Sequence, residues 1–226
     1  MNEYYILDEI EIPLKNFDDE ALEHAYQSGY LITRKKKGVL YKSRSLRINL
    51  RKFSVNSKNR RVLNRNTDLI IEMINLPISQ QEYDWRIHYM GKEFYTQRFG
   101  NNIFSASKIK SMVVTNNENP NLLLKYTYEN TAHPVGYCFA LRTKKFLHYA
   151  YPFYDLSIPS QRFLGMAMLI KAILLSIQLN MDYFYIGTVT DQKSKYKLQF
   201  NALEWFNEYT NTWDKNISKL KSILNS

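Results

Sequence analysis

The stretch Arg162-Phe163-Leu164-Gly165-Met166-Ala167 has the form Arg-x-x-Gly-x-Ala, and it follows a strand pattern and opens a long apolar helix pattern. A helix N-terminus presents unpaired backbone N–H groups and partial positive charge, and a glycine there lets a ligand approach the backbone. Such a place holds a phosphate or a developing carbonyl oxyanion. Asp155 stands at the end of the preceding strand pattern. His24, His88, His133 and His148 show no metal-ligand spacing, and Cys138 is the single cysteine, in an apolar run. No Ser–His or Cys–His pair is evident, so the chemistry expected is direct attack without a covalent enzyme intermediate.

Charge adds a second signal. The 226 residues carry a net +10, but residues 1–29 sum to −7, residues 30–67 to +13 and residues 68–226 to +4. The middle segment has thirteen bases and no acid, interleaved with Leu31, Val39, Leu46, Ile48 and Phe53, so it folds instead of trailing as a tail. A basic stripe of this kind is the footprint of a polyanion partner. One cysteine and no basic-then-apolar leader are the marks of a soluble cytoplasmic protein. The apolar run Phe163 to Ile177 is broken by Lys171 and falls short of the roughly 20 residues of a membrane span, so no membrane partner is expected.

The elements that must position these groups are legible as patterns. Leu46, Ile48 and Leu50 alternate with Arg47, Asn49 and Arg51, a half-buried strand with a basic face. Shorter strands are expected over 26–33 and 38–42, joined by the Arg34–Gly38 turn, then a short helical turn from Ser57 that carries Arg60 and Arg61. Residues 68–75 read as a strand and 79–98 as an aromatic helix. Residues 122–128, 134–143 and 146–154 read as a meander, followed by a helix over 160–179, a doubly buried strand over 182–189, a short helix over 193–200 and a strand over 202–206. Strand–helix–strand here is a parallel crossover in an otherwise antiparallel sheet.

That order, with the loop at 162–167, resembles the acyl-CoA pyrophosphate loop of the GNAT fold. A sharper resemblance is to the arginyl-tRNA–protein transferases and their leucyl-transferring relatives, over about residues 26–75 and 134–206. It is carried by Phe153, Tyr154 and Asp155; Leu164 and Gly165; Tyr183, Tyr185, Ile186 and Gly187; and Lys193, Tyr196, Lys197, Phe200, Leu203 and Glu204. An N-terminal block carries it too: Arg47, Phe53, Ser57, Arg60, Arg61, Val62 and Leu63, with Asn66, Asp68 and Leu69. The chain departs from that family in having no N-terminal cysteine cluster, with Ser43 about where a cysteine is expected. Glu93-Phe94 replaces an Arg-His pair, Leu156 follows Asp155 where the family has proline, and Ala202 stands in place of the final proline.

The resemblance implies an α/β protein with a GNAT-type mixed sheet and a small basic β-rich N-terminal lobe, divided as 1–76 and 77–226. It implies an aminoacyl-tRNA–protein transferase that moves an amino acid from charged tRNA to a protein or peptide N-terminus, an acidic one in the family, as a degradation signal. No free cofactor is needed. Asp155 would orient the amine, and Tyr185 or Tyr196 would protonate the leaving oxygen. Arg47, Arg60, Arg61, Arg162, Gly165, Gly187, Lys193 and Lys197 would hold the aminoacyl-tRNA. Two rivals share these residues: a GNAT N-acyltransferase using acyl-CoA, and a non-catalytic tRNA-binding relative.

With one cysteine and no clustered histidines, the purified protein should carry neither an iron–sulfur cluster nor stoichiometric zinc, and a chelator should leave its activity unchanged. Elemental analysis giving one metal per chain, retained through chelation, would contradict this.

Overall fold

The structure, a computed structural model, describes residues 6–190 and 192–225. The strands are β1 (Asp8–Glu11), β2 (Tyr30–Ile32), β3 (Val39–Lys42), β4 (Ser45–Asn49), β5 (Leu69–Asn75), β6 (Leu122–Tyr128), β7 (Gly136–Arg142), β8 (Phe146–Tyr154), β9 (Tyr183–Thr188), β10 (Leu203–Asn207) and β11 (Thr212–Asp214). The helices are α1 (Asp19–Gln27), α2 (Ser57–Asn64), α3 (Arg86–Phe99), α4 (Ala106–Val114), α5 (Leu164–Gln178) and α6 (Ile217–Ile223). The expected helix after β9 is a run of 3-10 turns over Gln192–Gln199. Residues 79–85, expected in α3, instead form a turn in which Ser79 Oγ donates to Glu82 at 2.7 Å.

One eight-stranded sheet runs β11-β10-β4-β9-β8-β7-β6-β5, and a three-stranded antiparallel sheet runs β1-β3-β2. Every neighbouring pair is antiparallel except β8 and β9, which α5 connects as the parallel crossover. This is the mixed α/β architecture expected. β4 lies between β9 and β10, and β5 forms the far edge beside β6, so both halves of the chain build one sheet.

The apolar pattern dictates the layers. The helix α5 is apolar nearly all round, and Ala167, Met168, Ile170, Ala172 and Ile173 are fully buried against Leu124, Tyr126, Cys138, Leu147 and Phe184. The segment Ser160–Gln178 has the length and composition of a membrane span, yet here it serves as the crossover. On the opposite face α3 and α4 cover Leu123, Tyr137, Phe139 and Phe153, while α1 and the small sheet cover Leu141, Phe146 and Tyr185.

Arg47 holds the two halves together. In register it faces Glu204 on β10 and Tyr185 on β9. Its Nε and Nη2 donate to Glu204 Oε2 at 2.8 Å, Nη1 donates to Gln27 Oε1 at 2.8 Å, and the guanidinium lies 3.9 Å from the Tyr183 ring centroid and 4.0 Å from that of Trp213. The side chain is 4% exposed. A buried guanidinium is tolerated only while its partners stay. Glu204→Ala should therefore cost about 3–5 kcal/mol. Chemical denaturation checks this, and a loss below about 1 kcal/mol would show the pair to be incidental.

Candidate active site

The site lies where the parallel pair comes apart. The β8–β9 register runs Phe146↔Tyr183, Leu147↔Phe184, His148↔Tyr185 and goes no further. On its other side β8 shifts register against β7, so that Tyr149 faces Ala140 while Tyr151 faces Phe139. The irregularity at Ala150 frees β8 from regular pairing just as β9 leaves it.

Lys197 enters this gap from the 3-10 run. Its Nζ donates to Thr188 O at 2.7 Å, and a Cβ on Gly187 would lie 3.5 Å from it. Gly187 has φ +79°, a conformation side chains resist, so glycine is required there. His148 lies nearby and is buried. Burial above all, and then the Lys197 ammonium, hold its pKa down to about 3. Tyr26 Oη accepts from the Ile32 N–H at 3.3 Å and is 2.8 Å from His148 Nδ1.

On the α5 side, the ring of Tyr154 rests on the first helical turn: a Cβ on Gly165 would lie 2.7 Å from Tyr154 Cε1. Gly165 is thus needed for packing, and the tyrosine ring covers it. Phe163 is the N-cap residue, and its carbonyl accepts from the Met166 and Ala167 N–H groups at 2.9 and 3.0 Å. The Leu164 and Gly165 N–H groups have no acceptor among the described residues. Tyr196 is 54% exposed at the rim, with its pKa raised by desolvation and by the Tyr154 phenol. Asp155 closes β8: its N–H donates to Val135 O at 2.9 Å, and its Oδ1 accepts from the Ser157 N–H at 2.8 Å.

Three expected site residues lie elsewhere. Tyr185 points to the α1 face, because strand alternation puts Tyr183 and Tyr185 opposite Phe184 and Ile186. It is 2% exposed, packs edge-on against Tyr26, Phe146 and Trp213, and burial raises its pKa to about 12, so it cannot reach a leaving group. Arg47 is consumed by Glu204 and cannot meet phosphate. Arg162 turns away from α5: its Nη1 donates to both oxygens of Asp68 at 2.9 and 3.2 Å, and its guanidinium lies over the Tyr128 ring. The side chain of Lys193 lies outside the described residues.

The basic segment is also redistributed. Lys35 and Lys36 pair with Glu9 and Glu11 of β1, and Lys37 donates to Asn116 at 2.6 Å. Arg60 and Arg61 stay exposed on α2 with Lys58, and among the described residues none of the three has an acidic partner. α2 is placed beside the start of α5: Val62 and Leu63 pack toward the core that α5 shares, and Asn66 Nδ2 donates to Arg162 O at 2.7 Å. Across β8, Tyr151, Phe104, Ile103, Tyr41, Arg34 and Lys108 line a cavity of about 440 Å³. The Tyr26–His148 pair and this cavity escaped sequence reasoning, because the segments that build them are more than 40 residues apart.

No family model matches the chain, and no curated protein matches it in sequence. Solved structures that share part of its course include L-PGS from Bacillus licheniformis, at 11% identity and TM-score 0.48. A second is the C-terminal domain of a putative lysylphosphatidylglycerol synthetase from Agrobacterium fabrum, at 12% and 0.46. In both, the match covers 76% of this chain and 52% of the other, so the chain spans about half their length. A third is a GCN5-related glucosamine N-acetyltransferase region of a fungal multi-domain GH3 beta-N-acetylglucosaminidase, at 8% and 0.42, covering 82% of this chain and 22% of that one.

The depressed His148 makes the fold acid-sensitive. The unfolded chain protonates this group near pH 6.5 and the folded chain only near pH 3, so the unfolded state binds more protons in between. Stability should be full above pH 6.5 and fall as the pH drops toward 3, by several kcal/mol in all. A His148→Asn variant, less stable at pH 8, should lose less of its stability between pH 7 and 4 in denaturant titrations.

Proposed function

We propose that the protein is an aminoacyl-tRNA-dependent transferase that moves an amino acid, arginine or similar, from charged tRNA onto the N-terminal amine of a protein or peptide in the cytoplasm. The observation that carries this reading is the juxtaposition of the β8–β9 gap, holding the Lys197 ammonium, with the exposed Lys58, Arg60 and Arg61 of α2. Such a helix suits a phosphate backbone, and the gap suits the acyl end.

The ester of a charged tRNA is already activated. The acceptor amine attacks its carbonyl carbon, the C–N bond forms, and the C–O bond to the terminal ribose breaks. Asp155, with Oδ1 held by the Ser157 N–H, orients the amine and takes its proton. Lys197 and the backbone of the gap oppose the oxyanion charge. Tyr196, at the rim, returns a proton to the leaving ribose oxygen; Tyr185 has no part in this. The acceptor enters from the 440 Å³ cavity across β8, where Lys108 is paired with Glu118 and Arg34 Nη1 donates to Ile103 O.

The acyl-CoA reading has one observation in its favour, the Leu164 and Gly165 N–H groups, which have no acceptor among the described residues and suit a pyrophosphate. It leaves the basic face of α2 without a use. Thermal shift with tRNA and with acetyl-CoA separates the two. The direct test is incubation with a total charged-tRNA pool and a peptide with an acidic N-terminus, read by mass spectrometry; no mass gain by an amino-acid residue would refute transfer.

Two variants divide the roles. Arg60→Ala/Arg61→Ala should weaken all tRNAs alike and flatten the log–log salt dependence by about two units. Asp155→Asn should leave tRNA binding intact and lower single-turnover transfer about a hundredfold. If Asp155 only holds the turn, transfer stays normal and melting alone shifts.

A further inference from the structure

Phe163 has no structural use that accounts for it. It adopts φ +53° and ψ +43°, the left-handed conformation that glycine and asparagine take readily and a bulky aromatic does not. At an N-cap, Ser, Thr, Asp or Asn would also satisfy the helix amides through a side chain, which phenylalanine cannot do. The ring is not repaid by burial. It is 52% exposed and belongs to none of the three apolar clusters of the fold.

The ring is nevertheless held in place. Arg65 lies with its guanidinium carbon 5.3 Å from the Phe163 centroid, and its Nη1 donates to Gln161 O at 3.0 Å. Asn66 Nδ2 donates to Arg162 O at 2.7 Å, and the Phe163 N–H donates to Ser160 O at 3.0 Å. The backbone before the ring is thus clamped to the end of α2, the helix that carries Lys58, Arg60 and Arg61. The Asp68 carboxylate beside this loop is engaged by Arg162.

We propose that Phe163, with Arg65 beside it, is a stacking platform for the unpaired terminal base of a nucleic acid whose phosphates lie along α2. This rests on the reading of α2 as a tRNA surface and adds the means by which the acyl-bearing end is held. A fixed, half-exposed ring flanked by a guanidinium suits a nucleobase, because every base offers a π face and a cation beside the ring meets the neighbouring phosphate. A blunt duplex end keeps its bases stacked within the helix, so the platform selects a single-stranded end.

The test uses the full chain and two RNA hairpins that differ only in an unpaired three-nucleotide 3′ tail, with binding read by fluorescence anisotropy. The wild-type protein should prefer the tailed hairpin by roughly five- to hundredfold. Phe163→Gly, which keeps the backbone conformation and removes the ring, should lose that preference while binding the blunt hairpin as before. Phe163→Leu should lose it too, and Phe163→Trp should keep it. Retention of the preference by the glycine or leucine variant would overturn the platform and leave α2 as a tRNA surface. Wild-type binding to neither hairpin would overturn both.

Discussion

A guanidinium shut inside the sheet decides how this chain is organised. Arg47 reaches Glu204, Gln27 and Tyr185 from β4, and it is sandwiched between the rings of Tyr183 and Trp213. Those groups come from β9, β10, β11 and the end of α1. A charge at this depth is stable only with its partners in place, so the interaction selects one register for β4 against both neighbours. Once β4 is fixed, the end of β9 is fixed beside it, with the Val189 N–H donating to Arg44 O at 3.0 Å. That end is one wall of the gap that Lys197 enters. The candidate site depends on a salt bridge in which it has no share.

Charge is the second organising theme. The acidic beginning of the chain is folded onto the basic turn after β2, and the ion pairs of Lys35 and Lys36 with Glu9 and Glu11 remove most of its attraction for a polyanion. Lys58, Arg60 and Arg61, on the exposed side of α2 next to the start of α5, have no acidic partner among the described residues. Surface pairs of this kind add little to stability.

Much of the fold was legible because the sheet is built from strands with a clear period. β5, β6 and β8 follow their alternation within a residue or so, and α5 announces itself by composition. The helix α1 was hidden by its own acids, since Asp19, Glu20 and Glu23 mask the buried Leu22, Ala25 and Tyr26. α4 and α6 were hidden because each is short, nine and seven residues, and shows about two turns of weak pattern. The site was legible in part. Lys197 reaches Thr188 O beside Gly187, and Tyr196 lies by Tyr154, but the spacing of Arg47 and Arg162 gave no hint of the carboxylates that claim them. Tyr185 was a different error. Its neighbours Phe184 and Ile186 are apolar and Tyr183 matches it, so strand alternation alone would have put it on the face away from α5.

The place of β4 has a consequence for how the chain acquires its shape. Residues 45–49 pair with residues 183–188 and 203–207, contacts that span well over a hundred positions. Such closures are slow, because loop entropy is lost before any contact is gained. During synthesis β4 leaves the ribosome long before either partner exists. Its apolar face, Leu46 and Ile48, must wait while the β6–β8 meander assembles from near neighbours. The nascent chain therefore has an early folding unit at its centre and an unmated strand upstream, and only completion of the last quarter closes the sheet.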